Sequence, residues 1–253
     1  MVRTLRVMVA GLVAAVVGSC AQLGIGSERD PAEYFAEDSG RDLAAAVLAE
    51  DSDRIARLAG DGASPNTQGE GGLTMLQWAV WNDKPQALAA LLDAGADPNQ
   101  IGEAGDSAIH TAAFAGNPEH LVTLLAAGGD PDIQGEVTGS TPLDKAILNN
   151  IDDPVRILLE SGADPNIVDK NRDGPMHTAA RTNKGWAILL MLQHGADPEA
   201  QNSRETSWQD FYWGYNPDLL NDRARDERRA IIEWLDERGH DVNPEADQFR
   251  AGR

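Results

Sequence analysis

The stretch at residues 72–99, GLTMLQWAVWNDKPQALAALLDAGADPN, returns in altered form down most of this chain. Aligned on Thr74 of T-M-L-Q-W-A, the equivalent positions are Ser107 (S-A-I-H-T-A), Thr141 (T-P-L-D-K-A), Gly174 (G-P-M-H-T-A) and Thr206 (T-S-W-Q-D-F), spaced by 33, 34, 33 and 32 residues. A second anchor keeps the same register: Gly95-Ala-Asp-Pro-Asn, Gly128-Gly-Asp-Pro-Asp, Gly162-Ala-Asp-Pro-Asn and Gly195-Ala-Asp-Pro-Glu. One unit earlier, Gly62-Ala-Ser-Pro-Asn and Arg41-Asp-Leu-Ala-Ala-Ala fit the pattern. A fixed period of this length means one short supersecondary unit, repeated about six times and stacked.

The unit starting at Thr141 explains the pattern physically. A threonine hydroxyl caps a helix, and Pro142 suits the first helical position, where no N–H partner is needed. Leu143, Ala146 and Ile147 give the first helix one apolar face. A second helix opens at Asp153 or Pro154, with Ile157, Leu158 and Leu159 as a wider apolar face. Gly162 supplies the left-handed turn that ends it, and Pro165 prevents its continuation. A polar, turn-rich finger leads to the next unit. One such unit cannot bury its apolar face alone; stacking is expected to bury Leu91, Leu92, Leu124, Leu125, Leu158 and Leu159 between units.

This period, with its T-P-L-H-x-A-like core, resembles the ankyrin repeat over residues 41–243. The resemblance implies an all-α solenoid of helix-turn-helix units joined by fingers. It implies that first helices and fingers line a concave face that binds another protein without catalysis. It also implies that His110 and His177, at the family's histidine position, bond to the backbone of the neighbouring finger. The family's exposed, variable position lies seven residues after the threonine anchor: Trp81, Phe114, Leu148, Arg181 and Trp213, with Leu48 in the leading unit. The following position gives Asn82, Ala115, Asn149, Thr182 and Gly214. Expected partner-binding residues are therefore Trp81, Asn82, Phe114, Leu148, Asn149, Arg181 and Trp213. Large apolar groups recurring on one solvent-facing row mark interaction surfaces, although packing between neighbouring first helices would favour the same residues.

The N-terminus carries a different signal. Arg3 and Arg6 precede an apolar run at residues 7–17, too short to span a bilayer comfortably, and then Val17-Gly-Ser-Cys20. Small residues before a single cysteine resemble the lipobox of bacterial lipoproteins. That implies a signal peptide at residues 1–19, lipid attachment at Cys20 and, with Ala21 following, passage to the outer membrane facing the periplasm. An ordinary secretory signal and an uncleaved anchor share the first two features. Cys20 is the one cysteine, so no internal disulfide can form. Residues 20–40 read as a polar tether, whose Tyr34 and Phe35 are placed to cap the first helix pair, and residues 244–253 as a polar tail.

The last unit departs from the pattern through an insertion at residues 211–222, rich in aromatics, which either seals the end of the stack or reaches into the groove; the seal is expected. A helix over residues 223–237 follows. Its apolar stripe is Ile231, Ile232, Trp234 and Leu235, and its polar face carries Arg223, Arg225, Arg228 and Arg229.

Net charge is −20, and would be −22 after cleavage before Cys20, with 19 basic and 41 acidic groups remaining. Nucleic acid is a poor partner for such a chain, since phosphate binding needs clustered Lys and Arg. A basic protein partner, or simply a solvated surface, fits. No nucleophile elbow, phosphate loop or metal-ligand spacing is present, so neither an enzyme nor a cofactor or metal site is expected. The expected role is a lipid-anchored interaction module acting as a monomer apart from its partner. The alternative is an immunity protein that neutralises a secreted toxin in the periplasm.

Overall fold

The computed structural model describes residues 29–149 and 151–250. The expected signal segment, the lipid site Cys20 and most of the tether lie outside the described residues. Helices α1 (Pro31–Tyr34), α2 (Asp38–Leu48) and α3 (Ser52–Gly60) open the fold. Then come α4 (Met75–Trp81), α5 (Pro85–Asp93), α6 (Ala108–Ala115), α7 (Pro118–Ala126), α8 (Pro142–Leu148) and α9 (Asp152–Glu160). The last are α10 (Pro175–Arg181), α11 (Gly185–Gln193), α12 (Trp208–Tyr212) and α13 (Asp222–Arg238). Among the described residues there is no named strand; isolated bridges join Gln68 to Thr74, Ile101 to Ser107 and Gln201 to Ser207 at the bases of three fingers.

From α2 onward the helices form six pairs. The first helices α2, α4, α6, α8, α10 and α12 touch in order, and so do the second helices α3, α5, α7, α9, α11 and α13. The first helices α4, α8 and α12 start from a reciprocal cap, whereas at Gly174 only the cap N–H is bonded, to His177 Nδ1 at 3.2 Å. Thr74 Oγ1 accepts the Gln77 N–H at 3.1 Å, and Gln77 Oε1 accepts the Thr74 N–H at 3.1 Å. The second helices of units one, two, three, four and five end at Gly62, Gly95, Gly128, Gly162 and Gly195, all at positive φ, with Gly95 at 93°. Leu91, Leu124, Leu158 and Leu159 are buried between units, while Leu92 and Leu125 are half-buried.

The fingers are tied across units by the residue at the third position of each first helix. Gln77 Nε2 donates to Asp106 O at 3.1 Å. His110 Nε2 lies 3.0 Å from Ser140 O, and His177 Nε2 lies 3.1 Å from Thr206 O. The imidazoles therefore do the structural work that the resemblance implied. In unit four this position is Asp144, which has no hydrogen to offer a carbonyl; it accepts the Thr178 hydroxyl of the next unit at 3.1 Å instead.

Both ends of the stack depart from the sequence expectations. The stretch read as a tether already contains α1 and the start of α2, because Tyr34 and Phe35 pack on Trp78, with ring centroids 5.0 and 5.7 Å away. At the other end, the described part of the stretch read as a polar tail packs back: a turn at Pro244–Phe249 buries Ala246 and Phe249. The insertion also seals that end, burying Trp208, Tyr212 and Trp213.

Candidate functional site

The capping boxes fix the register of the candidate row. In the last unit the cap is Ser207, whose N–H donates to Asp210 Oδ2 at 2.8 Å, and not Thr206. Counting seven residues from the caps Thr74, Ser107, Thr141, Gly174 and Ser207 gives Trp81, Phe114, Leu148, Arg181 and Gly214. Trp81, Phe114 and Leu148 are 39%, 41% and 52% exposed, and Arg181 and Gly214 are exposed as well. Trp213 falls one place earlier, with Val80, Ala113, Ile147 and Ala180, all of them buried. Its expected place in the row is thus corrected. Trp213 is fully buried, donates its indole N–H to Gln209 Oε1 at 3.1 Å, and packs 4.9 Å from Tyr212 and 5.9 Å from Phe249. In the leading unit Leu48 is half-buried against the core.

The next position is largely committed to the scaffold. Asn82 Nδ2 donates to Trp78 O at 2.7 Å within its own helix. Asn149 Nδ2 donates to Phe114 O of the preceding unit at 2.5 Å, and Tyr215 Oη donates to Arg181 O at 3.3 Å. Asn82 and Asn149 were expected to meet a partner; their hydrogen bonds instead serve the helix ends, leaving the row's side chains as the outward feature. Ile151, the N-cap residue of α9, is a further exposed apolar side chain three residues after Leu148. Residue types alone did not reveal it, because it lies in the turn between helices and outside the repeat's helical positions.

Charges along the row are mostly neutralised internally. Lys145 Nζ meets Asp106 Oδ2 at 2.7 Å, and Arg181 Nη1 meets Asp173 Oδ2 at 2.9 Å while its guanidinium lies 5.3 Å over the Phe211 ring. At the leading end the Arg29 guanidinium lies 5.7 Å over the Trp81 ring and donates to Trp81 O at 3.3 Å. The indole N–H of Trp81 has no acceptor among the described residues.

Burial sets the ionisation of the supporting groups. It pushes the His110 and His177 imidazoles down, favouring their neutral form, and it pushes the Asp144 carboxyl up against the opposing effect of hydrogen bonds from Thr141 and Thr178. His120 is buried with no hydrogen bond to either ring nitrogen; the nearest carboxylate oxygen, Asp83 Oδ1, is 3.7 Å away, and burial again lowers its pKa. Arg228 was read as part of a polar face but is fully buried. It sits 4.2 Å over the Tyr212 ring and donates to Asn183 Oδ1 at 2.8 Å and Tyr212 O at 3.1 Å.

No group of three or more His, Cys, Asp or Glu placed for a metal ion occurs among the described residues. Two shallow hollows, lined by Val122, Leu125 and Pro131 and by Gly214, Pro244 and Gln248, lie away from the Trp81–Leu148 strip. No described helix is long and apolar enough to cross a membrane.

Comparison with known proteins agrees with this geometry. A family model described as ankyrin repeats (3 copies) matches residues 76–169 and 109–202, which together span half of the chain. No curated protein matches. The chain is similar to the crystal structure of the ankyrin repeat domain of Bcl-3, described as a unique member of the IkappaB protein family. The identity is 26% over 79% of this chain and 86% of that one, with a TM-score of 0.67. With its period, its capping boxes and its paired helices all in one register, the chain belongs to the ankyrin-repeat family.

Proposed function

We propose that this protein binds another protein through the concave row Trp81, Phe114, Leu148 and Arg181, and that it does so from a lipid anchor in the bacterial envelope. The observation that carries the binding reading is the row itself. Three large apolar side chains recur on consecutive first helices, each about two-fifths or more exposed, where a folded monomer gains nothing by showing them. Trp and Arg are the residue types that most often carry interface energy. The surplus of carboxylates favours a basic partner, mainly by steering its approach. The anchor reading rests on Val17-Gly-Ser-Cys20 behind a basic start and an apolar run. Several acyl chains together would hold the protein on a membrane stably.

The test is affinity capture from envelope extracts, identification of the captured protein by mass spectrometry, and titration of that protein against Trp81→Ala and Phe114→Ala. Each substitution is expected to weaken binding about tenfold or more, which corresponds to about 1.4 kcal/mol. Unchanged affinity in both variants would refute the row as the binding face. Fatty-acid labelling of the wild type but not of Cys20→Ser is the expected result for the anchor.

A further inference from the structure

Two independent series along the concave face change character at the same place. The row is apolar at Trp81, Phe114 and Leu148, then polar at Arg181, whose charge Asp173 offsets. The fingertips follow the same division. The first tip residues of units two, three and four are Glu70, Glu103 and Glu136; in unit five the equivalent is Lys170, with Arg172 two residues on. Glu70 and Glu136 are exposed, and among the described residues no cation pairs with either carboxylate. Glu103 is half-buried with Oε2 unpartnered, and burial pushes its carboxyl up.

In the fifth finger the acids are spent locally. Asp169 accepts the Asn171 and Asp173 N–H groups at 2.8 and 2.9 Å, and Asp173 pairs with Arg181. Lys170 and Arg172 stay exposed, with the Lys170 ammonium resting on Glu136 O and Arg172 pairing with no carboxylate among the described residues. In the sixth finger Arg204 and Glu205 offset each other. Tyr215 of the insertion donates to Arg181 O at 3.3 Å.

Building on the concave-face reading, we propose that the row takes one segment of the partner protein that is apolar and basic across units two to four and acidic where it meets Lys170 and Arg172 beside Arg181. Charge complementarity chooses this occupant: each half of the groove presents the sign its half of the segment lacks. Packed helices lie about 10 Å apart, so three steps from Trp81 to Arg181 span about 30 Å, the reach of about ten extended residues. The apolar side chains of the segment would seat on Trp81, Phe114 and Leu148, and its backbone carbonyls would meet the open Trp81 indole N–H.

Three synthetic peptides with one apolar spine, each of about ten residues, provide the test. One is basic then acidic, one basic throughout, one acidic throughout. Each is titrated by fluorescence anisotropy against the full chain and against a Lys170→Glu/Arg172→Glu variant. The bipolar peptide should bind about tenfold tighter than either uniform peptide at low salt, the margin shrinking as salt screens the exposed tips. The variant should lose that margin and come to prefer the basic peptide. Equal or tighter binding of the uniformly basic peptide to the wild type would overturn the proposal, and so would an unchanged margin in the variant or no binding by any peptide. The broader concave-face reading fails by a different result: a captured partner whose affinity ignores Trp81→Ala and Phe114→Ala.

Discussion

The Asp132 carboxylate accepts the backbone N–H of Asp164 at 2.8 Å, in a ladder otherwise built from asparagines. Asn66, Asn99 and Asn166 each accept the equivalent N–H, of Asp97, Asp130 and Asp197, at 2.7 Å, and each also donates to a glycine carbonyl of the next unit at 3.1 Å. An ionised aspartate can copy the first bond but not the second, so this rung is held by half the usual contacts. Burial, with Asp130 and Asp164 nearby, pushes the Asp132 carboxyl above its ordinary value of 3.8.

Asp132→Asn should therefore stabilise the protein by about 1 kcal/mol at neutral pH, the value of one regained hydrogen bond. The sign of its pH dependence follows from the raised pKa. The folded chain keeps the proton on Asp132 to higher pH than the unfolded chain does, so this residue costs stability as pH rises through that window. The advantage of asparagine should be full above the window and smaller below pH 3.8. Urea titrations of both proteins at neutral and acid pH measure it; a variant no more stable than wild type at neutral pH would contradict the ladder account.

Two tryptophans from the same row of expectations should separate cleanly. Trp213→Ala removes a fully buried ring and should cost about 3–5 kcal/mol. Trp81→Ala removes a ring open to solvent on one side and should change stability by about 1 kcal/mol or less. Thermal melts of the two variants suffice. Equal losses would mean that the last unit is not capped by Ser207.

Arg228 tests the C-terminal seal. Among the described residues no carboxylate pairs with its buried guanidinium, which donates to Asn183, Tyr212 and Ala224 oxygens while covering aromatic faces. Burial pushes its pKa down, although it stays charged. Arg228→Ala should cost about 3 kcal/mol, because it leaves those oxygens unpaired and opens a cavity beneath Tyr212. Arg228→Lys should recover only part of this, since an ammonium cannot reach three acceptors in a planar fork. Full stability in the lysine variant would show that charge alone, and not the fork, holds the seal.

The period and the caps made the solenoid legible in the sequence, because each unit repeats its own local signals. What sequence left obscure came from contacts between distant parts. Thr206 and Ser207 both carry the hydroxyl a cap needs, and the choice between them moves Trp213 from surface to core; a strict spacing of 33 from Gly174 would have selected Ser207. Arg228 sits in the run R-A-R-D-E-R-R, where charge density suggests a solvated face, and only the insertion folding over α13 buries it. Phe35 and Phe249 look like parts of polar termini until the open ends of the stack are seen to need covering. The exposed row Trp81, Phe114 and Leu148 was readable because no tertiary contact overrides an outward helical position.

The interchange of glutamine and histidine at one position gives a last, specific prediction. Gln77 and His177 do the same work: each accepts the N–H of its helix cap and reaches a carbonyl of the next finger, at 3.1 Å in both cases. His177→Gln should thus fold to a stability within about 1 kcal/mol of wild type at neutral pH, since one hydrogen bond is replaced by another. Its acid behaviour should differ. Burial holds the His177 pKa below its ordinary 6.5, opposed by its bond to Thr206 and by Asp173 and Asp169, and supported by Arg181. As pH falls through 6.5 the unfolded chain takes up a proton that the folded chain resists, so stability is lost. Glutamine does not titrate, and the variant should lose less stability between about pH 7.5 and about pH 5.5, the range in which histidine changes charge. His110 and His120, lowered by burial in the same way, keep the remaining slope in both proteins. Urea midpoints at the two pH values measure the difference. An equal acid loss in wild type and variant would mean that His177 is protonated in the fold, and that its Nδ1 cannot be accepting the Gly174 N–H.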